Sequence, residues 1–162
     1  MIEIREVEPA DHAALIELNN AAVPAVNPHD ADSFVQLIEW CEKAWVAVDD
    51  EGVIGGLLVT MAPGADYTSR NYGWLDDRYD NFGYVDRIIA APTHRRMGIA
   101  GKLYDTFADH ARTKGWDRLT CEVNVEPPNP QSVAFHEASG WSGIEDVEHE
   151  PGYVVRFFEK PL

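Results

Sequence analysis

The sequence predicts an α/β fold in a single domain, and three observations carry that expectation. Strand-like and helix-like segments follow one another through all 162 residues, with no internal repeat, low-complexity tract or Ser/Gly-rich linker between them. A strand, a helix and a strand run consecutively from 83 to 125, a crossover that normally makes its two strands parallel neighbours. A chain of this length, 45% apolar and 25% charged, buries one sizeable core in the ordinary globular manner.

The elements follow in order. Ile2 to Val7 alternates apolar and charged residues as a half-buried strand does, and Pro9-Ala-Asp11 opens a helix through about Asn20 with Asp11 as its cap. A second helix is expected from Ser33 to about Cys41, capped by Ser33, with Phe34, Val35, Leu37 and Ile38 on one face. Ala44 to Val48 and Val53 to Met61 read as a strand pair around the turn Asp49 to Gly52. Residues 62 to 82 read as a long loop that carries Tyr67, Tyr72, Trp74, Tyr79 and Phe82, and a loop of that length is more often functional than accidental. Gly83 to Ala90 is the next strand. Gly98 to Lys114 is the clearest helix, because Ile99, Leu103, Phe107 and Ala111 recur every four residues and Gly115 ends it. Arg118 to Val125 is a strand stopped by Pro127-Pro128, Asn129 caps a short helix from about Pro130 to Ser139, and two strands at about 141–147 and 153–159 flank a Pro151-Gly152 turn.

Charge and composition exclude several functions. With 28 acids against 13 bases the formal charge is -15, which disfavours binding along a phosphate backbone, so no nucleic-acid partner is expected. No apolar run approaches the length of a membrane span and the first residues lack a basic then apolar leader, so a soluble, cytoplasmic protein with no membrane partner is expected. Cys41 and Cys121 follow no CxxC spacing and the six histidines are scattered, so neither a disulfide nor a metal is expected. The acidity is uneven. Residues 87 to 118 hold seven bases and three acids, a local +4 that leaves -19 on all the others. That basic island surrounds His94-Arg-Arg-Met-Gly-Ile-Ala-Gly101, a small-residue turn that opens a helix and so presents backbone N–H groups to an anion. Neither a Walker loop nor a dinucleotide fingerprint is present.

Two motifs then stand in order: Arg95, Gly98 and Ala100 as R-x-x-G-x-A after a strand, and Asn129-Pro-Gln-Ser132-Val-Ala-Phe135-His136 beyond the next one. On these the chain resembles, along essentially its whole length, the GNAT superfamily of acyl-CoA-dependent N-acetyltransferases. Tyr72 to Asp86 and Thr120 to Asn129 are further similar to a bacterial subgroup of acetyltransferases. The resemblance implies a central mixed, mostly antiparallel sheet of six or seven strands with about four helices, and a splayed parallel pair at the cofactor site. It implies acetyl-CoA as co-substrate, its pantetheine arm against the backbone of Ile88, Ile89 and Ala90 and against Asn129 and Ser132. The pyrophosphate would lie on the turn Arg95, Arg96, Met97, Gly98, Ile99, Ala100 and Gly101. Asn129 serves equally well as a plain helix cap.

Acetyl transfer from a thioester to an amine needs a base, an oxyanion donor and a proton for the departing thiolate. A backbone N–H near Ile89 is the expected donor. Asp86 is the first expectation for the base, with an ion pair to a nearby Arg as its alternative role, and Glu122 is the second. His136 stands where the superfamily usually has a tyrosine as general acid, so it is expected to protonate the thiolate, to pack beside the cofactor or to face solvent, with Tyr104 or Tyr84 as the alternative group at the sulfur. Trp74, Tyr79 and Tyr84 are expected to contact the acceptor, with Asp76, Asp77 and Asp80 attracting its amine. The expected activity is transfer to a primary amine of a small molecule. A non-catalytic acyl-CoA sensor and a protein N-terminal or lysine acetyltransferase are the alternatives, and the aromatic loop leaves a homodimer open.

Overall fold

In the computed structural model, which describes residues 1–162, seven strands hydrogen-bond into one sheet. The strands are β1 (Glu3–Glu6), β2 (Lys43–Val48), β3 (Ile54–Met61), β4 (Gly83–Ala90), β5 (Arg118–Glu126), β6 (Ser142–Glu150) and β7 (Tyr153–Pro161). Their order is β1-β2-β3-β4-β5-β7-β6, and every neighbouring pair is antiparallel except β4 with β5. Five helices cover the sheet: α1 (His12–Ala21), α2 (Ala31–Trp40), α3 (Arg70–Arg78), α4 (Ile99–Thr113) and α5 (Pro130–Ala138).

Strand alternation sorts the apolar residues into two cores. On one face Leu15 of α1, Phe34 and Leu37 of α2, and Tyr72 and Leu75 of α3 pack on Val46, Leu57, Val59 and Phe157. On the other, Ile99, Leu103, Phe107 and Ala111 of α4 pack on Trp45, Ala47, Leu58 and Val85. The interval of four that marked α4 in the sequence is the stripe that it buries.

Three local expectations are corrected. Asp11 does not cap α1; its carboxylate accepts the Glu8 N–H at 2.8 Å and pairs with Arg5, which closes the short 3-10 turn Pro9–Asp11 instead. Asp30, not Ser33, caps α2: its carboxylate accepts the Ser33 N–H at 2.8 Å while the Ser33 hydroxyl accepts the Asp30 N–H at 3.0 Å. Residues 62 to 82 are not all loop, since α3 occupies Arg70–Arg78 and makes five helices rather than four. Its sequence, RNYGWLDDR, has an internal Gly and only a few apolar positions, so its periodicity is faint. Burial of Tyr72 and Leu75 and the Ser69 cap hold it in place.

Two irregularities shape the middle of the sheet. The parallel ladder joins β4 to β5 only at Gly83 with Leu119 and Tyr84 with Thr120, after which the strands part. One register step earlier in the sheet, Val59 faces Arg87 and Thr60 faces Val85, so Asp86 is an extra residue in β4, a bulge. Beyond the end of β4, the start of α4 lies very close to β3. A Cβ on Gly56 would sit 2.5 Å from the Ile99 side chain, so only glycine admits the helix there.

Candidate active site

The parting of β4 from β5 opens a cleft, and the bulge decides what faces it. In a bulge two successive side chains are turned toward one side of the sheet. Asp86 and Arg87 accordingly both join a buried polar cluster on the face covered by α1 and α3. The Arg87 Nε–H donates to Asp86 at 2.7 Å, with both side chains about 5% exposed or less. Arg87 also donates to the Asn19 Oδ1 of α1 at 2.7 Å, and Asn19 in turn donates to the carbonyl of Asn27 at 2.9 Å. The second carboxylate oxygen of Asp86 accepts the Tyr67 hydroxyl. Asp86 is thus the counter-ion of a buried arginine, the alternative role anticipated for it.

Glu122 lies across the cleft on β5. It accepts the hydroxyl of Tyr84, a fully buried side chain on β4. Burial pushes the Glu122 carboxyl up to about 8; the Tyr84 hydrogen bond opposes that shift and the nearby Asp86 charge adds to it. Burial, followed by the Glu122 charge, raises the Tyr84 phenol as well, so Tyr84 remains a donor. A cavity of about 540 Å³ adjoins these groups, lined by Glu122, Tyr84, Asp86 and Arg87, by the 24–27 segment between α1 and α2, and by Thr68 to Asn71 leading into α3.

A smaller cavity, about 110 Å³, continues between the strands toward α4 and α5 and is lined by Val85, Ile88, Tyr104, Cys121, Asn129, Ser132 and His136. Both ring nitrogens of His136 are committed. Nδ1 is 2.7 Å from the Ser132 carbonyl oxygen, which only accepts, so Nδ1 carries the proton. Nε2, 2.7 Å from the Tyr104 hydroxyl, then accepts from it. Burial lowers the His136 pKa, which favours this neutral form. The acid role expected of His136 is therefore not what the geometry offers: the ring has no free N–H for the cleft, and what it does is aim the Tyr104 hydroxyl.

The turn from Arg95 to Gly101 has the character of an anion site. Gly98 caps α4 with φ 72°, and the N–H groups of Ile99, Ala100 and Gly101 have no acceptor within the protein. Arg96 also takes a left-handed conformation, with φ 65°. Arg95 and Arg96 form no ion pair, so the orphan donors and two free cations suit a pyrophosphate. Beyond Tyr84 no hydrogen bond of the β4–β5 ladder uses the inner edge of β4, which leaves Ile88, Ile89 and Ala90 a free strand edge for an extended amide-bearing arm. Asn129 does cap α5, accepting the Ser132 N–H at 3.4 Å.

Of the residues expected at the acceptor, the structure brings Tyr84 to the cavity and leaves Trp74 and Tyr79 outside it. Trp74 stacks on Phe157 with centroids 4.1 Å apart, and Tyr79 donates to Glu159 at 2.8 Å beneath the Arg118 guanidinium. The reason is the unforeseen α3, which turns both rings onto the sheet. Asp76 accepts the Gly64 N–H, and neither Asp77 nor Asp80 lines the cavity. Arg70 and Arg87 line the cavity without having been singled out from the sequence, whereas Tyr67 of the aromatic segment and Tyr104 were among its candidates and line the larger and the smaller cavity. For Arg87 a signal existed, an arginine beside Asp86 in an otherwise apolar strand.

The acetyltransferase (GNAT) family model matches residues 12–141. No curated protein matches the chain. Among solved structures, the ribosomal-protein-S18-alanine N-acetyltransferase from Escherichia coli shares 16% identity over 99% of this chain and 94% of its own, with TM-score 0.72. Ard1 from Thermoplasma volcanium shares 15% over 99% and 97%, with TM-score 0.78. The protein yncA from Salmonella typhimurium, solved with its cofactor acetyl-CoA, shares 21% over 99% and 94%, with TM-score 0.73. The match over 12–141 and the parted β4–β5 pair that it spans place this chain in the GNAT family of acetyltransferases.

Proposed function

We propose that the protein transfers the acetyl group of acetyl-CoA to a primary amine of a small molecule, by direct attack of the amine on the thioester. The observation that carries this is Glu122, a carboxyl raised to about 8, in the cleft between β4 and β5 beside a cavity of small-molecule size. A base with that pKa accepts a proton from an amine near neutral pH far better than an ordinary carboxylate does. The amine in the larger cavity gives its proton to Glu122 as its nitrogen bonds to the acyl carbon. Free N–H groups on the inner edge of β4 stabilise the developing oxyanion. The carbon–sulfur bond then breaks, and the proton that Glu122 accepted passes on through water to the thiolate, which leaves as CoA thiol while Glu122 is restored to its carboxylate. The Arg95–Gly101 turn supports CoA binding, because its orphan donors and unpaired arginines are what a diphosphate needs. Asp86 and Arg87 position the cleft rather than react.

A small acceptor is favoured over a polypeptide because the 24–27 segment and the residues leading into α3 wall the cavity on two sides. The test is free-thiol release from acetyl-CoA against an amine library. Turnover that Glu122→Gln lowers at least 100-fold, with CoA affinity kept, is the expected result. CoA binding with no release against any amine would establish a sensor instead, and release against peptide N-termini alone a protein acetyltransferase.

A further inference from the structure

Arg70 is a cation in a place that ordinarily disfavours one. It is the first residue of α3, where the helix dipole repels positive charge, and no carboxylate pairs with it in a chain that has 28 acids for 13 bases. It lines the 540 Å³ cavity that contains Glu122, and it is the sole base there without a counter-ion, since Arg87 is paired with Asp86.

Its position is built. The guanidinium lies 5.5 Å from the ring centroid of Tyr153, at the start of β7. That ring is fixed by Asn71, whose side-chain N–H donates to the Tyr153 hydroxyl at 3.3 Å and whose Oδ1 accepts the His149 Nε2–H at 2.6 Å. Stacking orients a guanidinium and leaves its edge donors free for a planar anion. The positive field is felt nearby: burial and then the Arg70 charge lower the His149 pKa. With Asp86 and Arg87 cancelling and Glu122 protonated over most of the neutral range, Arg70 sets the sign of the cavity.

We propose that the acceptor is an amino carboxylate, a small molecule whose amine meets Glu122 and whose carboxylate is bound by the Arg70 guanidinium. The assignment rests on the acetyl-transfer reading of the same cavity and narrows it. It disfavours polyamines and simple alkylamines, which would bring a second cation or no anion to Arg70.

The test compares α- and ω-amino carboxylates with the carboxamides of the same skeletons, in thiol release from acetyl-CoA. The best acid is expected to exceed its own amide in kcat/KM by about tenfold or more, the usual worth of a charge-assisted arginine contact. In Arg70→Gln that advantage is expected to vanish. Arg70 is exposed, so the variant is expected to fold, and its melting temperature checks this. Amides or diamines that match or beat every acid would overturn the proposal, as would an equal loss on acid and amide in the variant. A second measurement separates this from failure of the transfer reading: calorimetric titration of N-acetylated amino carboxylates and their amides in the presence of CoA. Binding of the acid about tenfold tighter, lost in Arg70→Gln, upholds the carboxylate site even if no amine is turned over. Equal binding of acid and amide removes it even if transfer proceeds.

Discussion

Tyr84 on β4 donates its hydroxyl to the carboxyl of Glu122 on β5, and it does so at the last pair of the parallel ladder, where Tyr84 faces Thr120. The bond therefore spans the point at which the cleft begins. It keeps Glu122 at the cleft mouth while leaving the carboxyl's other oxygen for an incoming amine.

The raised pKa of Glu122 fixes the direction of two pH dependences. Turnover requires the carboxylate, so kcat should rise as pH increases through about 8. Stability runs the opposite way. The unfolded chain releases this proton near 4.5 and the folded protein holds it to about 8, so the folded state loses stability as pH climbs between those values. Chemical denaturation at pH 5.5 and 8.5 should show this loss in the wild type, and Glu122→Gln should reduce it while abolishing the rising limb of the rate.

Removing the Asp86 charge should act on the fold first. Asp86→Asn leaves the buried Arg87 guanidinium without its counter-ion, which costs about 3 kcal/mol or more. The double variant Asp86→Asn with Arg87→Met should recover much of that loss in urea melts, since the unpaired charge is then gone.

His136 and Tyr104 form a second pH-sensitive pair. Burial lowers the His136 pKa, so the unfolded state binds the proton first and stability should fall as pH drops below about 6.5. Tyr104→Phe leaves the buried Nε2 without its donor, and a cost of about 1–3 kcal/mol is expected. Imidazole proton resonances, followed against pH, should show His136 neutral where exposed histidines are already cationic.

Gly98→Ala should strain the α4 cap, because φ is 72° although the added methyl meets no atom within 4 Å. A cost of about 1 kcal/mol is expected from the backbone alone. Calorimetry should also show weaker CoA binding, as the cap carries the orphan donors of the turn.

Trp74→Ala separates packing from recognition. Loss of the stack on Phe157 should cost about 2 kcal/mol in thermal or urea unfolding. KM for the acceptor should stay within about twofold, as the ring lies outside the cavity.

The strands were legible because each is an apolar run closed by a Gly, Pro or Asp turn, and α4 because its stripe is regular. The left-handed turn that opens α4 was legible for a related reason, since a cluster of small residues ahead of a regular apolar stripe marks a helix start with unpaired N–H groups. What the sequence did not disclose depends on contacts between distant segments. The bulge at Asp86 is visible only once β3 and β4 are aligned, and it decides that Arg87 joins the polar cluster. Helix α3 owes its existence to burial of Tyr72 and Leu75, which no local pattern announces. Of the aromatic residues in that segment it is Tyr67, not Trp74 or Tyr79, that reaches the polar cluster and lines the cavity.

Asp86 is supernumerary to the sheet: β3 and β4 would pair residue for residue without it. Deletion of its single codon, combined with Arg87→Val to remove the stranded charge, would leave a strand of unbroken phase. A longer β4–β5 ladder in that variant would show that the bulge is what holds the two strands apart beyond Tyr84. The buried Asp86–Arg87 pair beside the cleft is in this sense the product of one inserted residue.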